Sequence, residues 1–290
     1  MSRRLRLVAI GLGLPWIITL ACFWLLPLLW SFVISFTDLE LLAGDFSWIG
    51  WQNYRELLSD SDFRAALSNT FVFVGGTIPV TTILALLLAL VVNKRFKGRG
   101  LFRAGYFMPS VTSMVVIALI FTNLYQRGGY VALLAELVGL SAPEYGFLFD
   151  RSTALYSVMA MDVWMSVGYY MLIFLAGLKA IPVELYEAAS LSGAGRWRQF
   201  TSITLPLLRP TTAFILVINS IKSFQVFIEM FVMTKGKFET LTAVYFIYET
   251  GLQTQFRFGY ASAAAYLLFA IIAVFSVVQL YLMRRRRPLW

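Results

Sequence analysis

Residues 181–210 read IPVELYEAASLSGAGRWRQFTSITLPLLRP. Pro182 suits the first turn of a helix, where its missing amide hydrogen costs little. Glu184 and Glu187 then fall in the early turns, where acids complement the helix dipole. Leu185, Ala188, Ala189 and Ser192 recur at i, i+3, i+4, i+7 and form one face of small and apolar groups. Another protein can approach such a face closely. Gly193 and Gly195 break the helix and turn the chain. Phe200, Ile203 and Leu205 resume an apolar pattern leading to Pro206 and Pro210. The segment predicts a short helix, a glycine turn and a second helix lying at a membrane surface. An ordinary amphipathic interfacial helix would show the same pattern.

The flanking sequence supplies the membrane. A helix needs about 20 apolar residues to span a bilayer. Six stretches qualify, at about 5–36, 70–92, 106–125, 153–178, 210–233 and 260–283. The first is too long for a signal peptide, whose apolar core runs about 7–15 residues before a small-residue cleavage site. Prolines 15, 27, 79, 109 and 210 fall inside spans or near their starts, where membrane helices tolerate them. Composition agrees. Of 290 residues, 59% are hydrophobic and 13% charged, with mean hydropathy +0.75. A soluble domain carries about 25% charged residues. The chain is therefore expected to be an all-α integral membrane protein. Histidine is absent and the single cysteine, Cys22, sits in an apolar run. That excludes a disulfide framework, a zinc-type site, a Ser-His-Asp triad and an H-E-x-x-H motif.

Charge placement orients the spans. With the N-terminus in the cytoplasm, the inside segments hold Arg3, Arg4 and Arg6, then Lys94, Arg95, Lys97, Arg99 and Arg103. They also hold Lys179, Arg196, Arg198 and Arg209, and finally Arg284 to Arg287. The net charge of +9 divides into +14 inside, −4 outside and −1 in the membrane. The positive-inside rule then puts both termini and the loop 179–209 in the cytoplasm. The basic residues are spread over four short segments, so the charge reports orientation and not nucleic acid. Outside, Trp48, Trp51 and Tyr54 could form an interfacial belt or a docking surface. The apolar piece LLAELVGL, 133–140, is too short to span and predicts an interfacial helix. No G-x-x-x-x-G-K-[ST] sequence is present, so the chain has no P-loop for ATP; Gly98 and Gly100 read as a turn.

Polar residues within spans are costly and suggest function. Asn219, Lys222, Gln225 and Glu229 recur at three- and four-residue spacing in the fifth span, with Ser223 beside them. Asp162, Ser166, Tyr169 and Tyr170 recur similarly in the fourth. Two such stripes could line a cavity whose amides and hydroxyls hydrogen-bond sugar hydroxyls, with tyrosine rings packing on sugar faces. They could equally make helix–helix contacts, including Lys222 with Asp162 or Glu229. A cavity lysine could also attract an anionic solute.

One spacing is more specific. Glu187-Ala188-Ala189, three residues, Gly193, nine residues, Ile203, one residue and Leu205-Pro206 resembles the EAA loop of ABC-importer permeases. Four further stretches are similar to the sugar-permease subfamily: IGWQNYRELLSDSDFRAALSNTFVF, YFMPS, AGLKAIP and FGYASAAAYLLF. The likeness is to the maltose and glycerol-3-phosphate type, with one departure: Ser192 stands where the family often has Asp. The resemblance implies a type I ABC-importer permease fold over 1–290, a single transmembrane permease domain. It implies that Glu184, Glu187, Ala188, Ala189, Ser192, Gly193, Ala194 and Gly195 couple to an ATPase. It places Ser166, Tyr169, Lys222 and Gln225 on the translocation path. The implied partners are a second permease subunit forming a heterodimer, two ABC ATPases, an extracytoplasmic solute-binding protein and membrane lipid. No cofactor or metal belongs to this chain, and ATP and Mg belong to the ATPase. The implied place is a bacterial or archaeal cytoplasmic (inner) membrane. The implied cargo is a sugar, oligosaccharide or polyol, with glycerol phosphate or a phosphodiester as the alternative. A membrane enzyme using Asp162 and Glu229 lacks any supporting D-x-D cluster. A self-sufficient carrier is disfavoured because nothing suggests inverted repeats or discontinuous paired spans. No catalytic residue is assigned.

Overall fold

A computed structural model of the chain describes residues 3–40, 46–94, 96–137, 139 and 141–284. Arg95, Arg285, Arg286 and Arg287, expected on the cytoplasmic side, lie outside the described residues. So do 41–45 of the outer loop and Val138 and Leu140 of the expected interfacial helix. The described residues are helical, with only two isolated β-bridges. Helices are α1 (Arg3–Leu20), α2 (Leu26–Ile34), α3 (Gln52–Ser59), α4 (Ser61–Asn93), α5 (Arg99–Val111), α6 (Met114–Leu124), α7 (Tyr130–Leu137), α8 (Ala154–Lys179) and α9 (Val183–Leu191). They continue with α10 (Arg196–Gln199), α11 (Leu205–Leu207), α12 (Arg209–Phe224), α13 (Ile228–Met233), α14 (Ala243–Tyr248) and α15 (Phe258–Arg284).

Among the described residues, five segments are long and apolar enough to cross a bilayer: Ile10–Ile34, Ser61–Asn93, Ala154–Lys179, Arg209–Met233 and Phe258–Met283. The third expected span, 106–125, is not one straight helix. It is the pair α5 and α6, bent by 97°. Thr112 and Ser113 between them are extended, with ψ of 152° and 126°. Pro109 near the end of α5 has no amide hydrogen to donate back to the Gly105 carbonyl, and the Thr112 amide reaches back only three residues, to the Pro109 carbonyl at 3.2 Å. The second span starts already at Ser61, because Asp60 Oδ1 accepts the amides of Asp62 (2.8 Å) and Phe63 (3.2 Å) and caps the helix.

Two prolines are accommodated in the same way. A π turn at Ala21–Leu25 joins α1 to α2 just before Pro27, and another at Phe200–Thr204 precedes Pro206. A proline ring crowds the carbonyl four residues earlier. Widening the preceding turn by one residue relieves that clash without breaking the helix.

Chain contacts divide the molecule into two compact units. The first comprises Met1–Phe63 and Ile247–Phe269. Trp16, Phe23, Trp24 and Trp30 of its long first segment are exposed, as a lipid-facing helix requires. Its outer end is built around polar contacts. Asn53 donates to the carbonyls of Ser35 (2.9 Å) and Thr37 (2.8 Å), while the Gly259 amide donates to Leu39 (3.0 Å). Arg257 grips Glu56 with two nitrogens, at 2.7 and 2.8 Å, and lies 4.2 Å above the Tyr260 ring. The Tyr260 hydroxyl donates to Asp60 at 2.6 Å. The aromatics Trp48, Trp51 and Tyr54 gather around the Phe36 ring.

The second unit comprises Arg64–Phe246 and Ala270–Trp290. Helix α8 is its centre, with buried residues on most of its circumference. One core cluster joins Phe73, Ile117, Met161, Met165 and Met230. A second joins Ala85, Ala89, Met171, Phe174, Leu208 and Ile215. Gly168 lets α5 approach α8 directly: a Cβ there would lie 1.8 Å from the Tyr106 carbonyl oxygen. Small residues permit such close backbone contact in membranes.

Two predictions follow from these contacts. Gly168→Ala must push two backbones apart, at a cost of about 1–3 kcal/mol; thermal unfolding of the detergent-solubilised protein should show the loss. In the first unit, hydrogen bonding to Arg257 holds the Glu56 carboxyl below its ordinary value. Burial opposes ionisation of Asp60, yet the Tyr260 hydroxyl and the Phe63 and Asp62 amides carry it lower too. Depressed carboxylates stabilise the folded state above their unfolded pKa and lose that stabilisation as pH falls through their folded values. The outer cluster should therefore be intact at neutral pH and weaken only below the ordinary values of 4.5 and 3.8. Glu56→Gln should flatten the acid limb of a stability–pH profile.

Candidate functional site: a charged cavity and a cytoplasmic helix

The polar stripes meet in the second unit. Asp162 on α8 is buried among apolar neighbours, with 3% of its side chain exposed. Lys222 on α12 reaches it: Nζ donates to Asp162 Oδ1 at 2.9 Å and to Ser166 Oγ at 2.6 Å. This pair ties α8 to α12. A buried carboxylate in a bilayer needs such a partner to stay charged.

The fifth span does not run unbroken to Glu229. Helix α12 ends at Phe224, and Gln225 and Val226 donate back only three residues, to Lys222 (3.1 Å) and Ser223 (3.4 Å). Phe227 then leaves helical geometry, and α13 begins at Ile228. Peptide groups freed inside a membrane must find other partners. Thr242 supplies one, donating its hydroxyl to the Val226 carbonyl at 3.2 Å. The break turns Glu229 into the first turn of α13, where it is 5% exposed.

A cavity of about 330 Å³ opens at this break. Its walls are Phe73, Met114, Asp162, Lys222, Ser223, Gln225 and Val226–Glu229. Asp162, Lys222, Ser223, Gln225 and Glu229 thus share one cavity, with Ser166 bound to Lys222 at its edge. Asn219 is buried beside it, its carboxamide oxygen accepting from Ser223 at 3.4 Å and its nitrogen unpartnered among the described residues. Tyr170 belongs to the second core cluster, and Tyr169 is turned out to the surface at 43% exposure. Three-residue and four-residue spacing put both tyrosines near one face, but only the packing of α8 decides which way each ring points. Phe73, Met114 and Phe227 are cavity walls that no polar pattern could have revealed, because apolar residues fill every span. The break at 225–227 lines this cavity, and Met114, the first residue after the bend at 112–113, lines it too. Discontinuous spans are therefore present, contrary to the expectation used against a secondary carrier.

In the segment 181–210, Pro182 takes the position just before α9 and not its first turn. Gly193 has φ of +77°, a left-handed conformation that glycine adopts without strain. The turn it permits is bonded from Gly193 to the Ser190 carbonyl (3.0 Å) and from Ala194 to the Ala189 carbonyl (2.9 Å). Gln199 straps the turn, donating to Ser190 Oγ and to the Ala194 carbonyl, both at 2.9 Å. The Ser192 hydroxyl donates to Ala188 of its own helix at 3.0 Å. The Tyr186 and Thr204 hydroxyls meet at 2.9 Å, tying α9 to the return segment. Glu184, Leu185, Glu187, Ala188, Gly193 and Gly195 are exposed, while Ala189 and Ala194 are half-buried. Leu191 and Trp197 add large exposed apolar groups, at 91% and 76%. The periodic pattern missed both; their signal was hydrophobicity in a segment predicted to face water.

A family model described as binding-protein-dependent transport system inner membrane component matches residues 60–288. The chain belongs to this family. It is a multi-pass ABC-importer permease, a transport subunit and not an enzyme. The permease is 32% identical over 272 residues to the arabinooligosaccharides transport system permease protein AraP of Bacillus subtilis, covering 92% of this chain and 86% of the relative. It is 31% identical to the lactose transport system permease protein LacF of Rhizobium radiobacter, covering 94% and 93%. A solved bacterial ABC transporter that imports the acidic polysaccharide alginate has a chain of the same fold, with TM-score 0.85 and 25% identity over 98% of both chains. That alginate transporter is also solved with an alginate pentasaccharide-bound periplasmic protein. Among the described residues of the permease, no group of three His, Cys, Asp or Glu could hold a metal ion.

The exposure difference across the Lys222–Asp162 pair predicts unequal mutants. Lys222→Met strands a buried carboxylate and should cost about 3 kcal/mol. Asp162→Asn leaves a lysine whose side chain is 43% exposed, so its charge can turn to water at smaller cost. The double variant should recover most of the loss, and a thermal-unfolding double-mutant cycle on the solubilised permease would measure the coupling.

Proposed function

We propose that this chain forms half of the translocation pathway of an ATP-driven importer of a sugar, oligosaccharide or related polyol. It acts as a single permease domain in a bacterial or archaeal cytoplasmic membrane, paired with a second permease in a heterodimer. Two ABC ATPases carrying ATP and Mg dock on the cytoplasmic face, and an extracytoplasmic binding protein delivers the solute. The observation that carries the reading is the strapped turn at α9. A short helix exposes Leu185, Ala188 and Leu191 on a rigid support held by Gln199 and the Tyr186–Thr204 contact. Large exposed apolar groups on a cytoplasmic surface need a partner. A groove on an ATPase would bury Leu191, Leu185 and Trp197 and take up Glu184 and Glu187 at the rim.

The mechanism divides between two places. Closure of the ATPases on ATP pushes α9, and the strapped turn transmits that push to α12 through Leu205 and Arg209. The solute meets the cavity walled by Ser223, Gln225 and Glu229, with Asp162 and Lys222 behind them. Ser166 and Asn219 hold those groups in place, and Tyr169 and Tyr170 stand farther along α8. The carbohydrate names of the relatives support the cargo class, and the periplasmic protein seen with the alginate transporter supports the delivery step.

The test addresses coupling. Gly193→Val forces a left-handed φ on a branched residue, costing about 1–2 kcal/mol at the turn. In proteoliposomes with both partners, Gly193→Val and Glu187→Ala should each lower uptake at least tenfold while the membrane level of the permease is unchanged. Stimulation of ATP hydrolysis by the loaded binding protein should fall in parallel. Normal coupling in both variants would sink the reading.

A further inference from the structure

Two further cavities lie against α8 in the second unit, of about 550 and 580 Å³. Tyr106, Trp164 and Val167 line both, so they adjoin. The larger is walled by Gly76, Val80, Leu84 and Leu88 of α4. These recur every four residues and form one row along the helix. At about 1.5 Å rise per residue the row is roughly 18 Å long. One leaflet of hydrocarbon is about 15 Å deep, half of the bilayer core. The smaller cavity continues past the end of α4 to Phe96, Lys97 and Gly98, and along α5 through Leu101 and Phe102. Val80, Leu84, Leu101, Phe102 and Trp164 are exposed. Together the two make an apolar groove of one leaflet's depth that ends at a basic turn.

The charge at that end is one-sided. Lys97 lines the cavity, and Arg99 shares the α5 face of Phe102 and Tyr106, at i, i+3 and i+7. Neither takes part in an ion pair among the described residues. The walls of both cavities contain no Asp or Glu, and none occurs in the sequence from Phe63 to Ala135. Lysine and arginine at a membrane surface attract anionic headgroups. A cationic end and an apolar length of leaflet depth match one kind of molecule, a lipid with an anionic headgroup. A helix of another subunit would account for the apolar wall and not for the cations.

We propose that this groove is a binding site for an anionic phospholipid. The phosphate lies at Lys97 and Arg99, and one acyl chain runs along the α4 row toward Gly76. The chain contacts Trp164 and Val167 of α8, the helix that also carries Asp162, and so adds lipid to the packing around that helix. The assignment needs only that the basic turn lies at a membrane surface.

The experiment uses the assembled importer in phosphatidylcholine vesicles carrying a trace of a photoactivatable lipid. The probe is phosphatidylglycerol or phosphatidylcholine with the same diazirine-bearing acyl chain, and cross-links are mapped on this chain by mass spectrometry. The phosphatidylglycerol probe should label the groove segments 76–88 and 159–167 at least about fivefold more than the phosphatidylcholine probe, the gain expected for one lysine or arginine at an anionic headgroup. Lys97→Gln combined with Arg99→Gln should bring the two probes toward parity. Lys94→Gln removes the same charge from a neighbouring residue that does not line the groove, and should leave the preference high. Leu84→Trp fills the groove while keeping both cations, and should lower labelling at 159–167 by both probes. Equal labelling by the two probes, or a loss in Lys94→Gln as large as in the double variant, would overturn the assignment. Lipid cross-links elsewhere on the chain with none in the groove would overturn it too, because protein would then cover the groove.

Discussion

Within the hydrocarbon of a bilayer, no water is present to hydrogen-bond a peptide group, so each amide and carbonyl must find its partner in the protein. Helices meet that demand locally, and the described residues are helical almost throughout. The informative places are those where the ladder stops. At 225–227 the chain gives up helical bonding, and the Thr242 hydroxyl takes the carbonyl of Val226. At 112–113 it stops again, after Pro109. The break at 225–227 opens onto a polar cavity, which Met114, just after the other break, also lines. Where only a proline has to be accommodated, as before Pro27 and Pro206, a wider π turn suffices and the helix continues.

The same economy governs charge. Of the three ionisable groups expected inside the membrane, two neutralise each other across α8 and α12. The third faces the cavity. The paired Lys222 joins α8 to α12, while Glu229 is buried in the first turn of α13. The Asp162–Lys222 pair contributes little to net stability, but removal of either partner would be felt unequally because only Asp162 is deeply buried.

The segment around α9 uses a different principle. The helix is short and leaves the apolar side chains of Leu185 and Leu191 exposed instead of burying them in a core. Its rigidity comes from three hydroxyl and carboxamide contacts, made by Tyr186, Ser190 and Gln199. Those contacts bind the turn to the return segment and so to α12, which carries Lys222. A push on α9 and the position of the cavity wall are therefore linked through one continuous stretch of chain.

The amino-acid sequence by itself determined the helical membrane class and the family. Both are written in local pattern: apolar length, and the spacing from Glu187 to Pro206. It also singled out the polar residues of the cavity, because a charge inside a span is conspicuous. Tertiary structure alone decided which of them meet. Spacing on a helix put Glu229 in line with Lys222, yet the chain breaks between them; it put Tyr170 beside Ser166, yet Tyr170 is core. It could not show that Lys222 is engaged by Asp162, nor that the segment 106–125 bends. Those outcomes depend on contacts between residues far apart in sequence, and on backbone groups whose replacement partners, such as Thr242 for Val226, lie on another part of the chain.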